Sequence, residues 1–139
     1  MHKPYYNIFL DTQYIVYPNE RSSEPIIIKI GEMHPFLDMM IAPQTSWAFI
    51  TAWNPLPLVL GDDENQQRNK ELKHQILSMG LPCFDAKGIT LDKSWHEDSF
   101  LVSGISMQQS KELALQYGQL AFIYGEAGKP AQLVYTKED

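Results

Sequence analysis

The apolar positions along this chain change period several times, and each change marks a predicted element. Residues 12–17 and 25–30 are rich in Ile, Val and Tyr and flank a polar connection, residues 18–24, which predicts two strands of a hairpin. Gly31 ends the second strand. Pro35 suits the first turn of a short helix carrying Phe36, Leu37, Met39, Met40 and Ile41, and Pro43 closes it. The run Trp47-Ala48-Phe49-Ile50-Thr51-Ala52-Trp53 is continuously apolar and of strand length, which predicts a central strand covered on both faces. Period two puts Trp47, Phe49, Thr51 and Trp53 on one face and Ala48, Ile50, Ala52 and Asn54 on the other. The second face is small enough for a helix to pack closely.

Asn54-Pro55 breaks that strand. A helix is predicted from an N-cap at Asp62 to Met79, with Asp63 and Glu64 in the first turn, where the helix dipole favours anions, and Gly80 just past its end. Its apolar stripe is Leu72, Ile76 and Met79; extended backward, the stripe meets Asn69 and Asn65. Residues 81–91 predict a strand interrupted at Gly88, Trp95-His96-Glu97-Asp98 reads as a polar loop around one aromatic, and residues 99–105 predict another strand. Ser106-Met107-Gln108-Gln109 matches a capping box, opening a helix lined by Met107, Leu113, Ala114 and Tyr117 and ended by Gly118. Residues 120–124 and 132–136 predict a final hairpin. The expected fold class is therefore α+β: a single domain over residues 1–139 with a mixed or antiparallel sheet. Its order is the ferredoxin-like βαββαβ from Trp47 onward, preceded by a β-hairpin and a short helix.

Composition narrows what such a domain does. Hydrophobic residues at 44% and charged residues at 20% are globular values, which exclude a disordered chain. With 11 basic against 17 acidic residues the net charge is −6, which argues against a sequence-independent nucleic-acid partner. The longest basic grouping, Arg68, Lys70, Lys73 and His74, is interleaved with Glu71 and reads as a solvated helix face. Cys83 is the only cysteine, so no intrachain disulfide forms and a reducing compartment is expected. The first seven residues lack the apolar core of a signal peptide, and no apolar run approaches the ~20 residues that cross a bilayer. These features predict a cytoplasmic protein with no membrane partner.

The chain has no Gly-rich phosphate loop, no zinc-spaced Cys/His set and no nucleophile elbow, so no cofactor or metal is expected. His2, His34, His74 and His96 show no ligand spacing, and consecutive loop residues such as His96-Glu97-Asp98 rarely converge on one ion. Cys83, between Pro82 and Phe84, reads as a core thiol. The amides are the anomaly. Asn65 and Asn69 occupy inward stripe positions, directly after a strand that ends in Thr51 and Asn54. Either they satisfy buried backbone groups of the loop that follows Asn54, or they line a pocket where a strand C-terminus meets a helix N-terminus. Trp95 and Glu97 form a second candidate pair. An aromatic in a polar loop is a natural lid, and Glu97 folded against an apolar wall would have a raised pKa suited to acid–base chemistry.

Several of these residues recur in one pattern. Phe49-Ile50-Thr51-Ala52-Trp53-Asn54-Pro55, Glu64-Asn65, Arg68-Asn69, Trp95-x-Glu97-x-Ser99-Phe100 and Tyr117-Gly118-Gln119 together resemble an uncharacterised bacterial family, domain of unknown function 3293. The resemblance extends over residues 14–124 and implies a bacterial protein of one compact domain. It implies no activity, so it assigns no catalytic residue. The segment Leu56-Pro57-Leu58-Val59-Leu60 is more apolar than that family leads one to expect.

Three functions fit. The first is a domain binding a small polar molecule in an amide-lined pocket formed by Thr51, Asn54, Asn65, Asn69 and Trp95. The second is an enzyme using Glu97 as general acid or base, with the asparagines orienting substrate. The third is a protein-interaction module, including a homodimer through the Leu56 to Leu60 loop or a strand edge.

Overall fold

The computed structural model describes residues 3–137. Seven strands form one antiparallel sheet in the spatial order β2-β1-β4-β5-β3-β6-β7. They are β1 (Thr12–Val16), β2 (Ile26–Ile28), β3 (Ser46–Ile50), β4 (Cys83–Thr90), β5 (His96–Ser103), β6 (Ala121–Glu126) and β7 (Gln132–Tyr135). Among the described residues there are four helices, α1 (Tyr6–Asp11) ahead of β1 and, between strands, α2 (Pro35–Ile41), α3 (Asp62–Ser78) and α4 (Met107–Gln116). None of the described helices is long and apolar enough to cross a membrane.

The apolar run at residues 47–53 fixes the centre. β3 lies between β5 and β6, pairing Trp47 with Ser103 on one side and with Gly125 on the other. Its alternation divides the core. Trp47 and Phe49 join Tyr14, Val16, Leu37, Met40 and Leu101 on the face covered at one end by α2. Ala48, Ile50 and Ala52 join Leu72, Ile76, Phe100, Val102 and Leu113 on the opposite face, beneath α3 and α4. Small side chains at Ala48 and Ala52 let these helices sit close to the sheet, as the pattern predicts. The Trp47 indole lies across Gly125, where any β-carbon would overlap the ring.

Local signals decide the helix ends. Ser106 Oγ accepts from the Gln109 N–H and Gln109 Oε1 accepts from the Ser106 N–H, both at 3.0 Å, so the predicted capping box is formed. Pro35 opens α2 as expected. The predicted cap of α3 is displaced by one residue: Gly61, in extended conformation, is the N-cap and Asp62 is already helical. All three acids still fall in its first turn, where the dipole favours them. Met79, predicted on the buried stripe, is the C-cap and is 37% exposed, because the stripe closes at Ile76.

Three further expectations are corrected. β3 ends at Ile50 rather than Trp53, since the chain leaves the sheet once Ile50 has paired with Phe100. Gly88 does not interrupt β4; it stays in the ladder, paired with Glu97. Residues 95–98 are not a loop around Trp95, because β5 starts at His96 and pairs along its length with β4. A polar strand whose one face is solvated and whose other face lines a cavity lacks the apolar alternation that announces strands. α1 has no forerunner in the pattern: it is one and a half turns long, has no side-chain cap and buries none of its residues.

Candidate functional site

The amides that break the α3 stripe hold main chain. Beyond Ile50 the β3 strand separates from β5, and side chains replace the ladder. Asn69 Oδ1 accepts from the Ala52 N–H at 2.8 Å while its Nδ2 donates to the Asp98 carbonyl at 2.8 Å. Thr51 Oγ1 donates to the same carbonyl at 2.7 Å. One turn earlier, Asn65 Oδ1 accepts from the Asn54 N–H at 2.8 Å, and its Nδ2 donates to Asn54 Oδ1 at 2.8 Å and to the Leu60 carbonyl at 3.2 Å. Asn54 Oδ1 also accepts from the Leu60 N–H at 2.8 Å. Asn54 takes a left-handed backbone with φ of 43°, a conformation asparagine tolerates better than most residues. Two more side chains complete the clamp. Arg68 donates through Nε to the Ala52 carbonyl at 2.7 Å and through Nη2 to the Tyr117 carbonyl, and Gln119 Nε2 donates to the Trp53 carbonyl at 3.1 Å. Arg68 thus turns inward instead of joining a solvated basic face.

On the other face of the sheet, between α1 and the strands, lies a cavity of about 480 Å³. Its floor carries Tyr14, Phe49, Thr51, Gly88, Glu97 and Ser99, α1 contributes Ile8 and Phe9 as a roof, and Leu91 and Trp95 stand at one end. Strand geometry explains the set. Thr51 continues the Trp47–Phe49 face, Ser99 and Glu97 continue the Leu101 face, and Gly88, opposite Glu97, continues the Phe84–Ala86 face. The absent side chain at Gly88 leaves room against Thr12 and Tyr14, on the strand position opposite Glu97.

Glu97 supplies the carboxyl on this floor. Burial pushes its carboxyl up to about 7, although the Trp95 side chain, as a hydrogen-bond partner, draws it partly back. Tyr14, buried beside it, donates its hydroxyl to the Phe9 carbonyl at 2.6 Å, and its own pKa is raised by burial first and further by the Glu97 charge. At the turn between β4 and β5 the Asp92 carboxylate accepts from Ser94 Oγ at 2.6 Å, the Thr90 hydroxyl at 2.8 Å and the Ser94 N–H at 2.9 Å. These bonds, Ser94's foremost, hold Asp92 down at about 2. The Trp95 backbone is pinned on Thr90, whose N–H donates to the Trp95 carbonyl at 3.0 Å.

The residues singled out from sequence therefore divide into two groups. Thr51, Trp95 and Glu97 face the cavity; Asn54, Asn65 and Asn69 do not line it and are bonded to backbone behind it. Thr51 links the two, because it lines the cavity and also donates to the carbonyl that Asn69 holds. His96 and Asp98 alternate away from Glu97 onto the opposite face, with His96 Nε2 3.4 Å from Asp98 Oδ1, so the three do not converge. Among the described residues no cluster of His, Cys, Asp and Glu has the geometry to hold a metal ion. The Cys83 thiol is pushed up to about 12 by burial, which leaves it unreactive. Leu58 and Val59 are 63% and 66% exposed, whereas Leu56 turns into the cavity wall. Sequence reasoning missed Gly88 and α1; the glycine inside an otherwise regular strand was the one signal for either.

A family model described as "Protein of unknown function (DUF3293)" matches residues 50–122. That span holds Thr51, the three asparagines, Gly88, Trp95, Glu97 and Ser99, and leaves α1 outside. No curated protein and no solved structure matches the chain.

Proposed function

The chain belongs to this family of unknown function, and since the membership brings no activity with it, we propose from the geometry that the protein binds a small molecule in the cavity between α1 and the sheet. The observation that carries the reading is the cavity itself: about 480 Å³, with aromatic and aliphatic walls and a single carboxyl on its floor. Ligand pockets have this size and composition, mostly apolar with a few placed polar groups. Thr51 and Trp95 serve as ligand-facing residues together with Glu97. Asn54, Asn65 and Asn69 serve one step back, fixing the end of β3 so that Thr51 keeps its place. The same reading takes β3 through β6 as one ferredoxin-like unit within a single domain, supported by the β4-β5-β3-β6 order and its uniform antiparallel pairing. A cytoplasmic setting is supported by the single, half-buried cysteine, which leaves no intrachain disulfide to form.

A second reading makes the site catalytic. The observation that favours it is the Glu97 carboxyl lifted to about 7, where a general acid or base works best near neutrality.

Amide NMR of the labelled protein against a library of small aromatic fragments tests the first reading. Hits should shift Thr51, Gly88, Glu97 and Leu133 together. A library that perturbs none of these, or that scatters its shifts over the exposed Leu58–Val59 loop, would overturn it in favour of the interaction module.

A further inference from the structure

We propose that the ligand of this cavity is a cation: a small aryl-alkyl amine whose ammonium group sits on the Glu97 carboxylate and whose apolar body lies among Phe9, Tyr14, Phe49 and Trp95. The inference rests on the binding reading above and adds the ligand's charge and class.

The ionisable groups of the wall point one way. Among the described residues lining the cavity they are Tyr5 and Asp11 from α1 and its start, Tyr14 from β1, Asp92 from the β4–β5 turn, and Glu97 from β5. All are acids, and no lysine, arginine or histidine is among them. Lys93 stands exposed in the β4–β5 turn but off the cavity wall, Lys3 lies over the Tyr135 ring, and two further basic side chains belong to the other face of the sheet. Arg68 holds the carbonyls of Ala52 and Tyr117 beneath the other face, and Lys73 lies 3.4 Å from Asp85. Asp11 and Asp92 are exposed at the mouth, and the hydrogen bonds on Asp92 keep it ionised at any physiological pH. The lining of the entrance thus carries negative charge only, which favours cations over carboxylates and phosphates at the wall itself.

The floor asks for the same partner. A carboxylate withdrawn from water, with no cation on the cavity wall among the described residues, is a costly group, and its raised pKa reports that cost. An ammonium ion at hydrogen-bond distance would supply the missing charge, as a neutral or anionic ligand could not. The walls suit a cation too. The Tyr14 and Phe49 rings meet edge to face with centroids 5.2 Å apart, and the Tyr5 and Phe9 rings are tilted at 6.5 Å. Aromatic faces attract cations that have left water, and they cover the apolar remainder of an aryl-alkyl amine without hydrogen-bonding demands.

The experiment is an NMR titration above neutral pH with two matched series: 2-phenylethylamine, 2-phenylethanol and phenylacetate, then tryptamine, tryptophol and indole-3-acetate. In at least one series the amine should bind about tenfold or more tightly than the alcohol, with the acid weakest. Glu97→Gln, close in size to the native side chain, should bring the amine down to the alcohol's affinity. In the wild type the amine's affinity should rise with pH through neutrality while the alcohol's stays level, which needs no variant to fold. An alcohol that matches its amine in both series, or an amine indifferent to Glu97→Gln, would overturn the cation while leaving the binding pocket standing. Six compounds that all leave Thr51, Gly88 and Glu97 unshifted would overturn the cation and count against the pocket with it.

Discussion

Gly88 stands directly opposite Glu97 in the β4–β5 ladder, on the cavity face of the sheet. Directly opposed residues in an antiparallel pair share a face with their β-carbons in contact range, so the residue across from the carboxyl decides how much room it has. A β-carbon at Gly88 would lie 3.5 Å from Thr12 Cγ2 and 3.9 Å from Tyr14 Cδ1, which is ordinary van der Waals contact. Space and backbone therefore both admit alanine. Gly88→Ala is expected to keep or gain stability, by up to about 0.5–1 kcal/mol, because it removes freedom from the unfolded chain. It should at the same time weaken any ligand seated on Glu97. Denaturant melts alongside a binding titration check both halves; a loss of stability would mean that the strand needs glycine for its own sake.

The Glu97 carboxyl makes stability depend on pH with a definite sign. Its ordinary value is 4.5 and its folded value about 7, so between these limits the native state holds a proton that the unfolded state has lost. Stability then falls as pH rises from about 4.5 through about 7, by at most about 3 kcal/mol, and is level above that window. Glu97→Gln should flatten this slope and be the more stable protein above pH 7. Melts of the two proteins across the window decide it, and parallel curves would show that Glu97 is not desolvated in the folded state.

What the sequence made legible and what it hid follow from where the information lies. The course of β3, the α3 and α4 helices and the Ser106 capping box depend on neighbouring residues, so periodicity and cap chemistry reveal them. Asn65 and Asn69 could be seen as misfits on the α3 stripe, because a helix facing a core advertises a polar intrusion. Their partners could not be seen, since the Asp98 carbonyl lies 29 residues from Asn69 in the chain. The cavity is the extreme case: Phe9, Phe49, Gly88, Glu97 and Leu133 meet only after the sheet has assembled. Glu97 itself stood out as a candidate, but the strand that carries it was hidden for a further reason. Polar residues facing a cavity remove the alternation that identifies a strand, so the start of β5 resembled a loop.

The amide clamp makes a prediction opposite in sign to that for Gly88. Asn69→Leu would restore an apolar stripe and improve local burial, yet it strands the buried Ala52 N–H and leaves the Asp98 carbonyl with the Thr51 hydroxyl as its remaining side-chain donor. The unpaired amide outweighs the gain, and a loss of about 1–3 kcal/mol is expected. Asn54→Ala and Asn65→Ala should each destabilise as well, and the double variant should lose less than the sum, because the two amides bond to each other. Strict additivity in that cycle, or an Asn69→Leu protein as stable as the wild type, would show that the clamp carries little of the fold's stability.

The last prediction concerns the roof. α1 is six residues long, buries none of them, and starts from Tyr5 in a left-handed conformation with no side-chain cap. A helix this short does not stand on its own propensity, because one and a half turns cannot offset the cost of nucleation. Its attachments are few. Tyr14 Oη donates to the Phe9 carbonyl at 2.6 Å, Thr12 Oγ1 donates to the Ile8 carbonyl at 2.6 Å, and Tyr135 Oη donates to the Pro4 carbonyl at 2.9 Å. The Phe9 and Tyr135 rings add an edge-to-face contact with centroids 6.0 Å apart. The sheet beneath is held by the whole core, so roof and floor should open with very different free energies. Hydrogen exchange is expected to find the α1 amides close to unprotected while Phe49 and Ile50 in β3 exchange among the slowest. Tyr14→Phe should raise α1 exchange further, by the loss of one hydrogen bond worth about 0.5–1.5 kcal/mol, and leave β3 unchanged. A ligand bound beneath the helix should slow α1 selectively, since Ile8 and Phe9 gain a surface to pack on. Protection of α1 equal to that of β3 in the free protein would mean that the roof is a fixed wall and that the cavity fills by another route.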